Sequence, residues 1–372
     1  MPVSTSWLTD RLRPALAALA LIVSALLAAP IRAETVPADD AARVLAGLPV
    51  AATSPLAPLT QTPSWQRHAK FFDHAFGELE QRQLSKIRVW TAANLAAPRP
   101  AMYYMFSGPD FLYANAFYPA ATTYVLSALE PVGTVPDLAK LSPASVAASL
   151  GSVERSIQTV LAFSFFITKM MKTDLHESAA SGVLPVLYVF LARSGHTIRE
   201  VNEVSLDTEG AFVPPDVKPG RLAVHGVKIV FAGADGVART LYYFSTDLSN
   251  SGVAATGFLK FCATLAPASS LIKSASYLMH SPNFSSVRDF LLKNSATIIQ
   301  DDSGIPIGNF DPKTWRLSPF GKYKGPIAEF PGRYQRRAAE LFENAPPIDF
   351  GIGYRWRPYE TNLLLAVKAP GQ

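Results

Sequence analysis

The chain has little covalent or charged hardware. It holds a single cysteine, Cys262, so no internal disulfide can form and the fold must rest on core packing. Flanked by Phe261 and Ala263, with no thiol-activating motif around it, Cys262 reads as a small buried hydrophobe. Charged residues make up only 17% of the chain. The positive ones are dispersed, apart from Arg333, Arg336 and Arg337, and form no basic tail, which argues against a nucleic-acid partner. The standard enzyme signatures are missing too: no G-x-S-x-G elbow, no phosphate-binding loop, no G-x-G-x-x-G and no H-E-x-x-H. His176-Glu177 lacks the second histidine four residues on. His68 and His74 share an expected helix but would project roughly 120° apart around its axis, too far to grip one metal.

Long apolar runs are scarce beyond the first residues. Residues 15–29 form one such run, preceded by Arg11 and Arg13 and followed by Pro30 and Ile31-Arg32-Ala33. A basic start, an apolar middle and a small-residue exit make residues 1–33 a cleavable signal peptide by pattern. The run is shorter than the ~20 residues of a spanning helix, and the next richest, 160–171, is interrupted by Ser164, Thr168 and Lys169. No cysteine follows the apolar run to carry a lipid. The expectation is an exported protein, periplasmic or secreted, with no stable membrane insertion after cleavage. Removing residues 1–33 lowers the formal charge from +5 to +3.

What the chain does have is core material, with 49% hydrophobic residues. Residues 34–63, rich in Ala and Pro, read as a mostly extended lead-in. Residues 64–372 show no composition break and no repeat, and read as one domain. Trp65, Ala69, Phe72, Phe76, Leu79, Ile87, Trp90 and Asn94 recur at helical spacing and predict one long amphipathic helix. Ser142-Pro143 opens a second helix, expected to run to about residue 172. Strands are expected at 101–106, 124–129, 183–191, 201–206, 222–231, 240–245, 296–300, 352–356 and 363–367. Further helices are expected at 257–266, 283–294 and 333–344. A hairpin turn falls at Ala234-Asp235-Gly236. The mixture predicts an α/β or α+β fold: a mixed β-sheet flanked by long amphipathic helices.

Three strand candidates end in polar clusters: Ser107-Gly108-Pro109-Asp110, 246–250, and Asp301-Asp302-Ser303. In open α/β sheets, ligands collect beyond the carboxyl ends of strands. If these strands are parallel neighbours, Asp110, Asp247, Asp301 and Asp302 meet at one mouth. There they would act as acid and base or hold a hard divalent cation such as Ca²⁺ or Mg²⁺. The competing reading is ordinary turn and cap chemistry. His280, placed near Ser107 or Ser303, is a candidate general base. Tyr113, Asn250 and Arg355 are candidate ligand contacts. So are aromatics beside Gly and Pro, including Phe106, Phe111, Phe117, Tyr118, Trp315 and Tyr354, which could equally be core filler.

The stretch FSGPDFLY (106–113), residues 277–303 with the ending QDDSGIP, and Phe320-Gly321-Lys322-Tyr323 resemble segments of uncharacterised exported bacterial proteins. That resemblance covers about half the chain and implies no activity, cofactor or assigned residue. Three functions stay open: a hydrolase-like enzyme using strand-end carboxylates, a non-catalytic binding protein for a glycan, an envelope polymer or a partner protein, and a purely structural envelope component.

Overall fold

A computed structural model of the chain describes residues 37–96, 98–166 and 179–369. The signal-peptide segment and His176-Glu177 lie outside these. Among the described residues nine strands between Ala101 and Lys368 form one sheet. The strands are β1 (Ala101–Met105), β2 (Thr123–Ala128), β3 (Thr197–Leu206), β4 (Val224–Ala232) and β5 (Ala238–Ser245). They continue with β6 (Ala268–Ile272), β7 (Ser295–Gln300), β8 (Trp315–Gly321) and β9 (Asn362–Lys368). Their order in the sheet is β3-β4-β5-β2-β1-β6-β7-β9-β8, and the neighbours β5, β2, β1, β6 and β7 are mutually parallel. An antiparallel pair extends the sheet on each side: β4 and β3 beyond β5, and β9 and β8 beyond β7. The fold is therefore the mixed α/β sheet expected from the sequence.

The period-two alternation of β1 explains how the sheet is covered on both sides. Met102 and Tyr104 pack in a core with the helices Pro63–Leu79, Phe111–Phe117, Pro143–Phe163 and Leu184–Arg193. Ala101, Tyr103 and Met105 pack in another, with Phe258, Phe261, Cys262, Val287 and Leu291. Cys262 is fully buried there and its thiol pKa is raised by burial, an inert core residue.

Several sequence expectations need correction. Residues 183–191 form a helix, Leu184–Arg193, rather than a strand. A short apolar run carries no periodicity to separate the two forms, and Pro185 in the first turn favours the helix. Residues 352–356 make only an isolated bridge between Ile352 and Arg355. The Ser142-capped helix stops at Phe163, where Ser164 turns left-handed with φ 68°. The long helix is interrupted: a π-helical turn, Glu80–Leu84, separates Pro63–Leu79 from Ser85–Asn94. Two strands, β6 and β8, had no counterpart in the sequence reading. No helix among the described residues is long and apolar enough to cross a membrane.

The expected lead-in is partly helical. Ala38–Leu45 forms a helix that buries Ala42, Val44 and Leu45 completely. It is fastened at both ends. Asp39 Oδ1 accepts from the Ile198 N–H at 2.8 Å. The buried His68 contacts the Leu45 carbonyl through Nε2 at 2.8 Å and Glu154 through Nδ1 at 2.6 Å. If this segment belongs to the core, Leu45→Ala should cost about 2–5 kcal/mol in urea unfolding; a loss under ~0.5 kcal/mol would show it to be a dispensable leader.

Candidate functional site

The register of the parallel strands brings their carboxyl ends to one edge. Met105 of β1 pairs with Ser127 of β2, and Ala128 with Ser245 of β5. Ile272 of β6 pairs with Gln300 of β7. The chain steps from β1 to β2 to β5 on one side of β1, and from β6 to β7 on the other. The order thus reverses between β1 and β6, where neighbouring loops part and leave a crevice.

At this point two charges are buried together. Asp110 caps the helix Phe111–Phe117, its Oδ1 accepting from the Tyr113 N–H at 3.2 Å. Its Oδ2 accepts from the Tyr104 hydroxyl at 2.8 Å and lies 2.9 Å from the Nζ of Lys273, the first residue after β6. The two side chains are only 2% and 1% exposed. The Lys273 ammonium also donates to the Ser164 carbonyl and sits 3.9 Å from the centre of the Tyr113 ring. Burial, then the Asp110 charge, raises the pKa of both Tyr104 and Tyr113, so both phenols remain protonated donors. The Tyr113 hydroxyl donates to Gln83 Oε1. Gln83 sits in the π-helical turn, and its Nε2 donates to the Gly351 and Trp356 carbonyls at 3.1 and 3.2 Å. The π turn, an irregularity often found at functional sites, thus connects the helix to this pair.

Beyond Lys273 the backbone is held in an unusual shape. Ser274, Ser276 and Tyr277 have φ of 52°, 50° and 53°, a region that costs a non-glycine residue of order 1–3 kcal/mol and persists only where the surroundings enforce it. Here they do. The Ser274 N–H donates to Asp301 Oδ2 at 3.0 Å, and its carbonyl accepts from the Tyr354 hydroxyl at 3.1 Å. Ser276 Oγ lies 2.9 Å from the same hydroxyl. The Ser274 Oγ is buried without a hydrogen-bond partner. Gly353 (φ 64°) presses on the support: a Cβ there would stand 1.7 Å from Asp301 Oδ2.

A cavity of about 320 Å³ opens over this floor. Phe106, Phe165, Phe166, Phe284 and Tyr354 line it, with Ser107, Asp110, Lys273, Ser274 and Ser276 among the polar residues and Asp247 and Thr246 after β5. Its size and its mostly apolar wall with a few polar groups suit a small molecule.

The structure separates the residues singled out from the sequence. Ser107, Asp110 and Asp247 line the cavity together. Asp301 stands behind Ser274 as its support and also accepts from the Ser303 N–H and hydroxyl at 3.0 and 2.5 Å. Burial, then the charge of Asp302, pushes its pKa up to about 7 against those hydrogen bonds. Asp302 faces elsewhere, accepting from Tyr277 OH at 2.7 Å and Asn362 Nδ2 at 3.0 Å beside a crevice of about 10 Å³. His280 makes no hydrogen bond to the Ser107 or Ser303 hydroxyl. Its Nε2 is buried without a partner, and burial, then Arg333, lowers its pKa to about 4, so it is neutral. Tyr113 is fully buried and meets Lys273 rather than open space. Asn250 ties two helices, donating to the Pro282 carbonyl and Ser285 Oγ at 2.9 and 3.0 Å. Arg355 donates to the Gly325 carbonyl at 2.7 Å. Phe111, Phe117 and Tyr118 are fully buried, and Trp315 packs edge-on against Phe310. Among the described residues, no group of three His, Cys, Asp or Glu side chains converges to hold a metal ion.

Lys273 and Ser274 were missed in the sequence because β6 reads Ala-Ser-Ser-Leu-Ile, too short and polar to stand out as a buried strand. The available signal was Leu271-Ile272 followed by a lysine and three small residues. Compared with models of known families, with curated proteins and with solved structures, the chain matches none.

The raised Asp301 pKa has a consequence for stability. Between its ordinary value of 3.8 and about 7 the folded state holds a proton that the unfolded chain has released. This contribution is complete below about pH 4 and is lost as pH rises through 7. Urea unfolding across that range should show stability falling more steeply with pH in the wild type than in Asp301→Asn. Parallel slopes would mean Asp301 titrates normally.

Proposed function

We propose that this chain is an exported protein that binds a small molecule in the cavity between the ends of β1 and β6. One observation carries the reading: an aromatic-walled cavity of about 320 Å³ stands over the fully buried Lys273–Asp110 pair where the strand order reverses. Burying two charges is expensive, and a hydrophobic pair of the same volume is often at least as stable, so a charged pair beneath a cavity is better accounted for by a role in that cavity than by stability. Export is supported by the basic, apolar and small-residue pattern of residues 1–33.

A hydrolase-like reading has Ser274 in its favour, a strained residue with an unpartnered buried hydroxyl. For that oxygen to add to a carbonyl carbon, a neighbouring base must take its proton. No base hydrogen-bonds to it among the described residues, and the catalytic reading therefore stands second.

A thermal-shift screen of small molecules separates these readings. Ligands that raise the melting temperature should lose their effect in Ala128→Trp, which adds an indole to the cavity wall. Hits indifferent to that substitution would place binding elsewhere, for example in the open groove beside β3 and β4 lined by Phe212, Pro214 and His225. Turnover of activated esters that disappears in Ser274→Ala would promote the hydrolase reading instead.

A further inference from the structure

The lining of the cavity also discriminates by charge. Lys273 is the one cation on it among the described residues. An ammonium has three N–H donors, and this one is already committed to the Asp110 carboxylate at 2.9 Å, the Ser164 carbonyl and the Tyr113 ring face at 3.9 Å. An entering anion would find no donor left on it and would face the Asp110 charge beside it. Asp247, by contrast, is an exposed carboxylate at the rim. The N–H and hydroxyl of Ser249 orient it, both at 2.8 Å, and it forms no ion pair with any described residue.

The walls fit the same class of ligand. Phe106 packs against Phe284 with ring centres 5.9 Å apart, and Phe165 against Tyr354 at 5.1 Å. These two aromatic pairs line one cavity with Asp247. Aromatic faces attract cations through the ring quadrupole and do so most strongly where water is excluded, the principle of aromatic cages for ammonium groups. The Ser274 hydroxyl adds an unpartnered acceptor and donor on the floor.

We propose that the cavity takes a small organic cation, an amine or quaternary ammonium on an apolar body, with its charge between the aromatic pairs and Asp247. This rests on the reading of the cavity as a ligand site and specifies its ligand class.

Three compounds of nearly one shape test it by isothermal titration: 2-phenylethylamine, 2-phenylethanol and phenylacetate. The amine should bind more tightly than the alcohol, and the acid least. Asp247→Asn keeps the size and the turn chemistry of the side chain, so the fold should survive. It should weaken the amine about two- to fivefold and leave the alcohol unchanged. If phenylacetate binds as well as the amine and Ala128→Trp abolishes both, the cavity is a ligand site but the charge class is overturned. If Asp247→Asn leaves the amine unaffected, or if none of the three binds, the cation proposal is likewise overturned. Failure of the cavity reading itself would show differently, as ligands found by screening that ignore Ala128→Trp.

Discussion

The contact between Lys273 and Asp110 is the constraint on which the rest of this site depends. Each residue is the first charge after a central parallel strand, and the two strands are neighbours where the order of the sheet reverses. Both side chains are almost wholly withdrawn from solvent. Each therefore needs partners for all its hydrogen-bonding capacity, and supplying them recruits much of the surrounding chain. Asp110 takes Tyr104 and the Tyr113 N–H; Lys273 takes the Ser164 carbonyl and the Tyr113 ring. Tyr113 in turn needs Gln83, and Gln83 holds the 351–356 segment. That segment carries Gly353 against Asp301 and Tyr354 onto Ser274. A strand-end pair thus fixes a helix terminus, a π turn, a left-handed loop and the cavity wall.

This network also changes the role of the carboxylates. From the sequence, four aspartates after strands invited an acid–base or metal-binding reading. In the structure they divide by surroundings. Asp110 is neutralised by an ammonium, Asp301 props a strained turn, and Asp302 bonds to a phenol and an amide. Only Asp247 faces solvent at the mouth. Asp110 and Asp301 support the floor of the cavity, Asp302 fastens a neighbouring part of the fold, and Asp247 is free to meet a ligand.

The general fold was legible because its signals are local. The apolar run of β1 closed by Ser107-Gly108-Pro109-Asp110, the hairpin turn at Gly236 and the Ser142 cap with Pro143 each reflect chemistry within a few residues. The strand-end rule also led to Ser107, Asp110 and Asp247, because turns after parallel strands are polar wherever the sheet ends. What the sequence hid is non-local. The lysine that pairs with Asp110 lies 163 positions away, after a strand of small residues with no conspicuous pattern. The run at 183–191 was misread because uniform burial erases the periodicity that separates helix from strand. The helix Ala38–Leu45 was obscured by surrounding Ala and Pro, and its anchors, Ile198 and His68, come from distant elements.

A double-mutant cycle on Lys273→Met and Asp110→Asn, read by equilibrium unfolding, tests the central role of the pair most directly. Asn keeps the helix cap through its single oxygen but replaces Oδ2, which accepts from the Tyr104 hydroxyl, with an amide NH2, so the cycle compares each single loss with the joint one and reads the coupling of the two groups. Each single substitution should cost about 3–5 kcal/mol by stranding the other group, and the double variant far less than their sum. Costs that simply add would show that the two groups do not depend on each other, and that this pair is not what organises the site.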